Sequence, residues 1–334
     1  MYKNVHIKGV GSYHPKKKVK NEELLEHFKK FNLEDHAKGL MNKLGRDIRT
    51  HASSDESTVT MSVEASKNAL ENAGLKAEDI DMIISVSDAA EYLSPCCAIM
   101  VRNKIGAKNS TAVFDVNSNC TGMLTAIDIA CRYLKTDSKY KKILIAGGSF
   151  INSLAREDDI VSYGCFGDGG AAIILEVREE SEERGFLGSR MYTDDEYYST
   201  ITFPACGMSN LNDEGRTKED RQLLWKPFDF SFLSEKWSEN IKAILDEHGY
   251  SVGDVTHYFM SQFSKADLEL TFEKLEADMT KTTFVGDKYG YTGCTSPIMS
   301  LDDALKVKTF ESGNLGIFCS VAAGYTIGVL LYKW

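Results

Sequence analysis

The sequence predicts an α/β fold made of two similar halves, with a parallel or mixed sheet covered by helices on both faces. Three patterns predict it. Continuous apolar runs of strand length, Met82-Ile-Ile-Ser-Val86 and Ile143-Leu-Ile-Ala146, alternate with segments of helical period, as in sheets buried on both faces. Two stretches end alike, each with a small-residue turn feeding an apolar strand, at Gly169–Leu175 and at Ala323–Leu331. Each is preceded by a strand, a polar turn and a helix, around Cys120 and around Tyr291. This self-similarity divides the chain into a duplicated unit, residues 1–175 and 176–334, whose faces meet near Cys120.

Taken in order, Val5-His-Ile-Lys-Gly-Val10 alternates as a strand, and Gly11-Ser-Tyr-His-Pro15 turns into the basic cluster Lys16, Lys17, Lys18 and Lys20. Asn21 before Glu22 and Glu23 has the polar cap and acidic first turn of a helix. Met61, Val63, Ala65, Ala69, Leu70 and Ala73 line a helix over 58–73 that Gly74 closes. The segment from Glu91 to Ile105 reads as a further helix. Phe166-Gly-Asp-Gly-Gly-Ala-Ala lacks dinucleotide spacing and has no helix after it, so it is a turn entering a strand and not a nucleotide site. Residues 176–224 are irregular, with an acidic stretch Glu176–Glu183, a strand near Phe186–Tyr192 and a polar loop over 209–220. Helices follow over 233–249, where Trp237, Ile241, Ile244 and Leu245 form an apolar stripe, and over 268–275 and 298–305. Between the first two, His257 to Ser264 read as strand and turn.

The chain has 334 residues, 43% of them hydrophobic, which is enough for a large globular core. Its net charge of −10 argues against nucleic acid or an anionic membrane as main partner. Met1–Val10 carries no signal-peptide core, and no apolar run approaches the roughly 20 residues of a membrane span. Eight cysteines without Cys-x-x-Cys pairs or metal-ligand spacing with His read as reduced thiols of the cytoplasm, with no metal or cofactor.

The most chemically pointed stretch is Ala112-Val-Phe-Asp-Val-Asn-Ser-Asn-Cys120-Thr-Gly-Met123. A strand ends in a polar turn and Cys120 stands where a helix begins, where unpaired N–H groups and the helix dipole favour a thiolate. Gly122 removes side-chain bulk and allows a close approach.

The phrases Phe114-Asp-Val-Asn-Ser-Asn-Cys120-Thr-Gly, Phe166-Gly-Asp-Gly-Gly-Ala-Ala, Ala323-Gly-Tyr-Thr-Ile-Gly and Leu330-Leu-Tyr-Lys-Trp334 resemble β-ketoacyl-acyl-carrier-protein synthase III of the thiolase superfamily. The resemblance runs from Gly9 to Trp334. It implies a thiolase-like five-layered αβαβα fold, a homodimer, and uptake of an acyl group by Cys120 from a coenzyme A or acyl-carrier-protein thioester. The implied oxyanion hole uses the backbone N–H groups of Cys120 and of Ala323, where the family has glycine. The family's catalytic His and Asn fall on Ser261 and Tyr291. Hydroxyls can donate to an oxyanion, but neither is basic near neutral pH. Cys120 is therefore expected to load an acyl group while decarboxylative condensation is altered or absent, in fatty acid, polyketide or secondary metabolite biosynthesis. The same departures define an alternative, a catalytically silent subunit pairing with an active partner in a heterodimer. Ser94, before Pro95, falls where the family closes its acyl tunnel from the other subunit, and its small size implies room for a longer or branched chain. No adenine-stacking aromatic is evident near Met41, which weakens coenzyme A as donor and leaves a carrier protein, with Arg46, Arg49 and the Lys16–Lys20 cluster as candidates to meet its acidic helix or, alternatively, as a solvated surface. His257, four residues before Ser261, reads as structural.

Overall fold

A computed structural model describes residues 1–334. The first half contains β1 (Tyr2–Tyr13), β2 (Lys17–Lys20), α1 (Asn21–Lys29), α2 (Glu34–Leu44), β3 (Ile48–His51) and α3 (Thr58–Ala73). It continues with β4 (Met82–Val86), α4 (Cys97–Ile105), β5 (Ala112–Val116), α5 (Gly122–Thr136), β6 (Lys142–Ser149), the single turn α6 (Ser162–Cys165) and β7 (Gly169–Glu180). The second half contains β8 (Gly185–Thr193), the short pair β9 (Ile201–Thr202) and β10 (Leu224–Trp225), α7 (Leu233–Glu247), β11 (Val255–Met260) and α8 (Lys265–Leu275). It ends with α9 (Gly286–Tyr289), α10 (Ser296–Val307), β12 (Leu315–Ala322) and β13 (Thr326–Lys333).

The main sheet has the order β11-β12-β13-β8-β1-β7-β6-β4-β5. Its halves join at a single pairing, Val5 with Gly185. In the first half β4 runs parallel to β5 and β6, and β7 runs antiparallel to β6 and β1. The second half repeats this: β11 is parallel to β12, and β13 is antiparallel to β12 and β8. Here the counterpart of β5 shrinks to one bridge, Tyr258 with Thr282.

Alternation along the strands sets the layers, because successive side chains point to opposite faces. Met82, Ile84 and Val86 of β4 face a central cluster with Leu124 and Ile127 of α5 and Ile298 and Leu301 of α10; Phe259 and Phe318 meet it from the other half. Ile83 and Leu144 point the other way, under α3 and α4. Tyr258, Met260 and Ile317 pack on Trp237 and Ile241 of α7 and Phe272 of α8. The result is a five-layered αβαβα sandwich with α5 and α10 in the middle.

Two boundaries differ from expectation. Strand β7 continues past residue 175 to Glu180, because β1 residues Tyr2 to Val5 keep its charged end in the ladder. The helix expected from Glu91 starts at Cys97. Its first N–H groups, of Cys97 and Ala98, donate to the Asp115 carboxylate of β5 at 2.7 and 2.8 Å, a cap supplied from outside the local sequence.

Candidate active site

Cys120 lies in a 3-10 turn, Asn119–Thr121, between β5 and α5. The Asn119 N–H donates to Asn117 Oδ1 at 2.9 Å, and Asn119 adopts φ 47°, a left-handed conformation that Asn tolerates. Ser320 of β12 donates its hydroxyl to the Cys120 carbonyl at 2.9 Å, tying the turn to the second half. Gly122 permits the approach of α5 to β4: a Cβ there would stand 2.5 Å from Val86 Cγ1 and 3.8 Å from Cys294 Cβ.

Tyr291 enters from the turn before α10, buried between Phe166 and Phe263, with ring centroids at 5.0 and 5.3 Å. Its hydroxyl meets Ser261 Oγ at 3.4 Å and the Cys120 thiol. Ser261, just past β11, is fully buried and reaches the sulfur only through Tyr291. The Ala323 N–H, in the turn between β12 and β13, points at the Cys120 sulfur. Asp88 arrives two residues beyond β4, with Oδ2 3.7 Å from Cys120 Sγ. Its Oδ1 is buried without a partner. Nothing local marked Asp88 except a carboxylate directly after a strand buried on both faces.

The surroundings of the thiol oppose a thiolate. Burial, followed by the charge of Asp88, pushes Cys120 well above the ordinary thiol range, against the pull of Tyr291 and the Ala323 N–H. Cys120 lies two residues before the first residue of α5, whose dipole favours the thiolate and works against these two effects. Burial also raises Asp88 to about 6, partly offset by the Cys294 N–H and the Cys120 thiol. Tyr291 is pushed well above its usual range by burial and then by Cys120.

Cys120, Asp88, Tyr291 and Ala323 line one cavity of about 150 Å³ whose walls are mostly hydrophobic, with the rings of Phe166, Trp225, Phe228 and Phe230 among them. A more open pocket of about 560 Å³, rimmed by Lys43 and Arg156, lies behind the same Trp225, Phe228, Phe230 and Phe263. These rings form a wall between surface and sulfur, with Trp225 stacked on Phe263 at 5.6 Å.

Residues 245–334 match the family described as 3-Oxoacyl-[acyl-carrier-protein (ACP)] synthase III C terminal, and residues 114–195 match 3-Oxoacyl-[acyl-carrier-protein (ACP)] synthase III, together more than half of the chain. The chain belongs to the 3-oxoacyl-acyl-carrier-protein synthase III family. This family is a Cys-dependent, acyl-transferring class of enzymes. The beta-ketoacyl-acyl-carrier-protein synthase III of Erythrobacter litoralis is 29% identical over 98% of both chains. Among solved structures, the 3-oxoacyl-acyl-carrier-protein synthase III of Aquifex aeolicus superposes with a TM-score of 0.85 at 23% identity, covering 99% of this chain and 100% of that one. An OleA variant from Xanthomonas campestris, solved with lauric acid and lauroyl-CoA, gives 0.84 at 18% over the full length of both.

Within this synthase III framework several surface expectations change. Arg46 and Arg49 are buried and cannot meet a carrier protein. Arg46 donates to the carbonyls of Cys165, Leu44, Gln262 and Phe263 at 3.1, 2.7, 2.8 and 2.5 Å, and Arg49 to the Gly164 carbonyl at 2.7 Å. Lys16, Lys17, Lys18 and Lys20 are exposed along the antiparallel β2–β3 pair. Ser94 is exposed and does not line the cavity of its own chain. Met41 is in the core, but Phe31 stands at the surface with Arg156 and Lys218 around one opening. His257 is buried, 3.0 Å from Thr283 Oγ1. No helix is long and apolar enough to cross a membrane.

Proposed function

We propose that Cys120 takes an acyl group from a coenzyme A or acyl-carrier-protein thioester and passes it to an acceptor, with decarboxylative condensation altered or absent. The observation that carries this reading is the Cys120 sulfur at an aromatic cavity with the Ala323 N–H aimed at it. A thioester carbonyl meeting the sulfur would develop its negative charge beside the N–H groups of Ala323 and Cys120. Tyr291 donates to the sulfur and Ser261 holds Tyr291, standing at the positions the family gives to Asn and His. Two hydroxyls supply donors but no base near neutral pH, which is why ordinary malonyl decarboxylation is not proposed.

The cavity's rings favour an apolar acyl group in fatty-acid or related metabolism. The exposed Lys16–Lys20 cluster suits an acidic carrier. Exposed Tyr92, Leu93 and Ile99 around Ser94 form an apolar surface suited to a second thiolase-fold chain, which supports a dimer. The test is release of free thiol from acyl-CoA. One equivalent per chain, abolished by Cys120→Ala, is expected. No release with any primer, together with co-purification of a related active chain, would favour the silent-subunit reading instead.

A further inference from the structure

We infer that Asp88 is a catalytic residue, the carboxylate that exchanges the proton of Cys120 during acyl transfer. This rests on the acyl-transfer reading above and supplies the basic group that Ser261 and Tyr291 lack.

The argument is geometric. Cys120 sits between the C-terminal ends of two equivalent strands, β4 and β11. Beyond β11 stands Ser261, reaching the sulfur through Tyr291; beyond β4 stands Asp88, with Oδ2 directly at the sulfur at 3.7 Å. Asp88 also lines the acyl cavity. A structural carboxylate would have its oxygens saturated, as Asp168 does: its Oδ2 takes the Ala52 N–H at 2.9 Å and its Oδ1 the Asn152 N–H at 3.1 Å. Asp88 Oδ1 has no donor at all. The titratable groups facing Asp88 are Cys120 from the turn before α5, and Tyr291 and Cys294 from the turn before α10; none is a cation. The Ser149 hydroxyl at the end of β6 shares the space beside Gly293 and is also unpartnered. A half-buried carboxylate with one buried, unpartnered oxygen against a half-buried thiol, without a neutralising cation, is arranged for proton transfer and not for charge pairing.

The step balances as follows. Asp88 takes the thiol proton as the sulfur bonds to the thioester carbonyl carbon, whose π pair moves onto oxygen between the Cys120 and Ala323 N–H groups. Collapse breaks the bond to the donor sulfur, and Asp88 returns the proton to that leaving thiolate. The products are acyl-Cys120 and free donor thiol, with Asp88 again ionised. In the second half Asp88 takes a proton from an O–H, N–H or S–H acceptor as it attacks, and hands it to the departing Cys120 sulfur.

The test uses Asp88→Asn with two readings on Cys120. Single-turnover release of coenzyme A should slow by about 10²–10⁴-fold and lack the rise with pH near 6 expected of the native protein from Asp88. Alkylation of Cys120 by iodoacetamide, followed at the peptide level, should go the other way and speed up, because the carboxylate no longer holds the thiol protonated. A general disturbance of the turn would move both readings together. Unchanged acylation, or alkylation that does not speed up, overturns the inference. If the native protein is not acylated at all, the acyl-transfer reading fails by itself, and the alkylation contrast still decides whether Asp88 and Cys120 share a proton. Should Asp88→Asn not fold, Asp88→Ser, smaller in the same space, gives the same pair of readings.

Discussion

Gly122→Ala tests the packing that holds the Cys120 turn. Gly122 has φ −55° and ψ −42°, ordinary helical values, so its backbone conformation does not require glycine. On propensity alone, alanine should stabilise the start of α5 by up to about 1 kcal/mol. Against this, the new Cβ would lie 2.5 Å from Val86 Cγ1, roughly 1 Å inside a normal carbon contact. Val86 is in β4 between β5 and β6, is 1% exposed, and its β-branched side chain has little rotamer freedom. Overpacking of this kind costs about 1–3 kcal/mol, and the depth of the overlap puts it near the top of that range. The net expectation is a loss of about 2 kcal/mol. In a Val86→Ala background the obstructing methyl is gone, and the same Gly122→Ala change should become neutral or stabilising by up to about 1 kcal/mol. Urea midpoints by circular dichroism at constant slope measure both. Equal cost in the two backgrounds, or stabilisation in the native one, would refute the close-approach argument.

Three further predictions concern the surroundings of the site. Tyr291→Phe removes the hydroxyl between Cys120 and Ser261, and should slow acylation by about 10-fold, the worth of one hydrogen bond, while Ser261→Ala should change it less; single-turnover rates rank the two. Arg46→Met removes a buried donor shared by five backbone carbonyls, of which Cys165 alone keeps the Tyr291 N–H, and should cost about 3–5 kcal/mol in unfolding experiments. Burial holds the His257 imidazole down to about 4, so it stays neutral in the fold where the unfolded chain, titrating near 6.5, takes up a proton. That contribution is complete above pH 6.5 and is lost as pH falls towards 4. His257→Gln should therefore flatten the acid loss of stability by about one proton, with His14 and His51, also near 4, sustaining the remainder; a pH series of unfolding midpoints measures the slope.

What could be read from the sequence was what depends on local order. The alternation in β4 and β6 gave away a sheet covered on both faces, and the strand, turn and helix around Cys120 and Tyr291 are recovered as two α-helical starts meeting at the molecular centre. What could not be read depends on partners far along the chain. Arg46 and Arg49 looked like surface charge because the carbonyls that satisfy them come from other segments, 164–165 and 262–263 among them. The start of α4 is set by Asp115, 18 residues beyond Cys97. The balance at the Cys120 thiol is hidden for the same reason: the helix start is visible in the sequence, whereas the burial and the Asp88 carboxylate that oppose a thiolate arise only when β4 and α5 pack.

The central claim is that Cys120 carries the acyl group. Intact mass after incubation with an acyl thioester tests it most directly. The account predicts one adduct of acyl mass per chain, mapped to the peptide bearing Cys120 and absent in Cys120→Ala. An unmodified chain, or an adduct that survives Cys120→Ala, would contradict it.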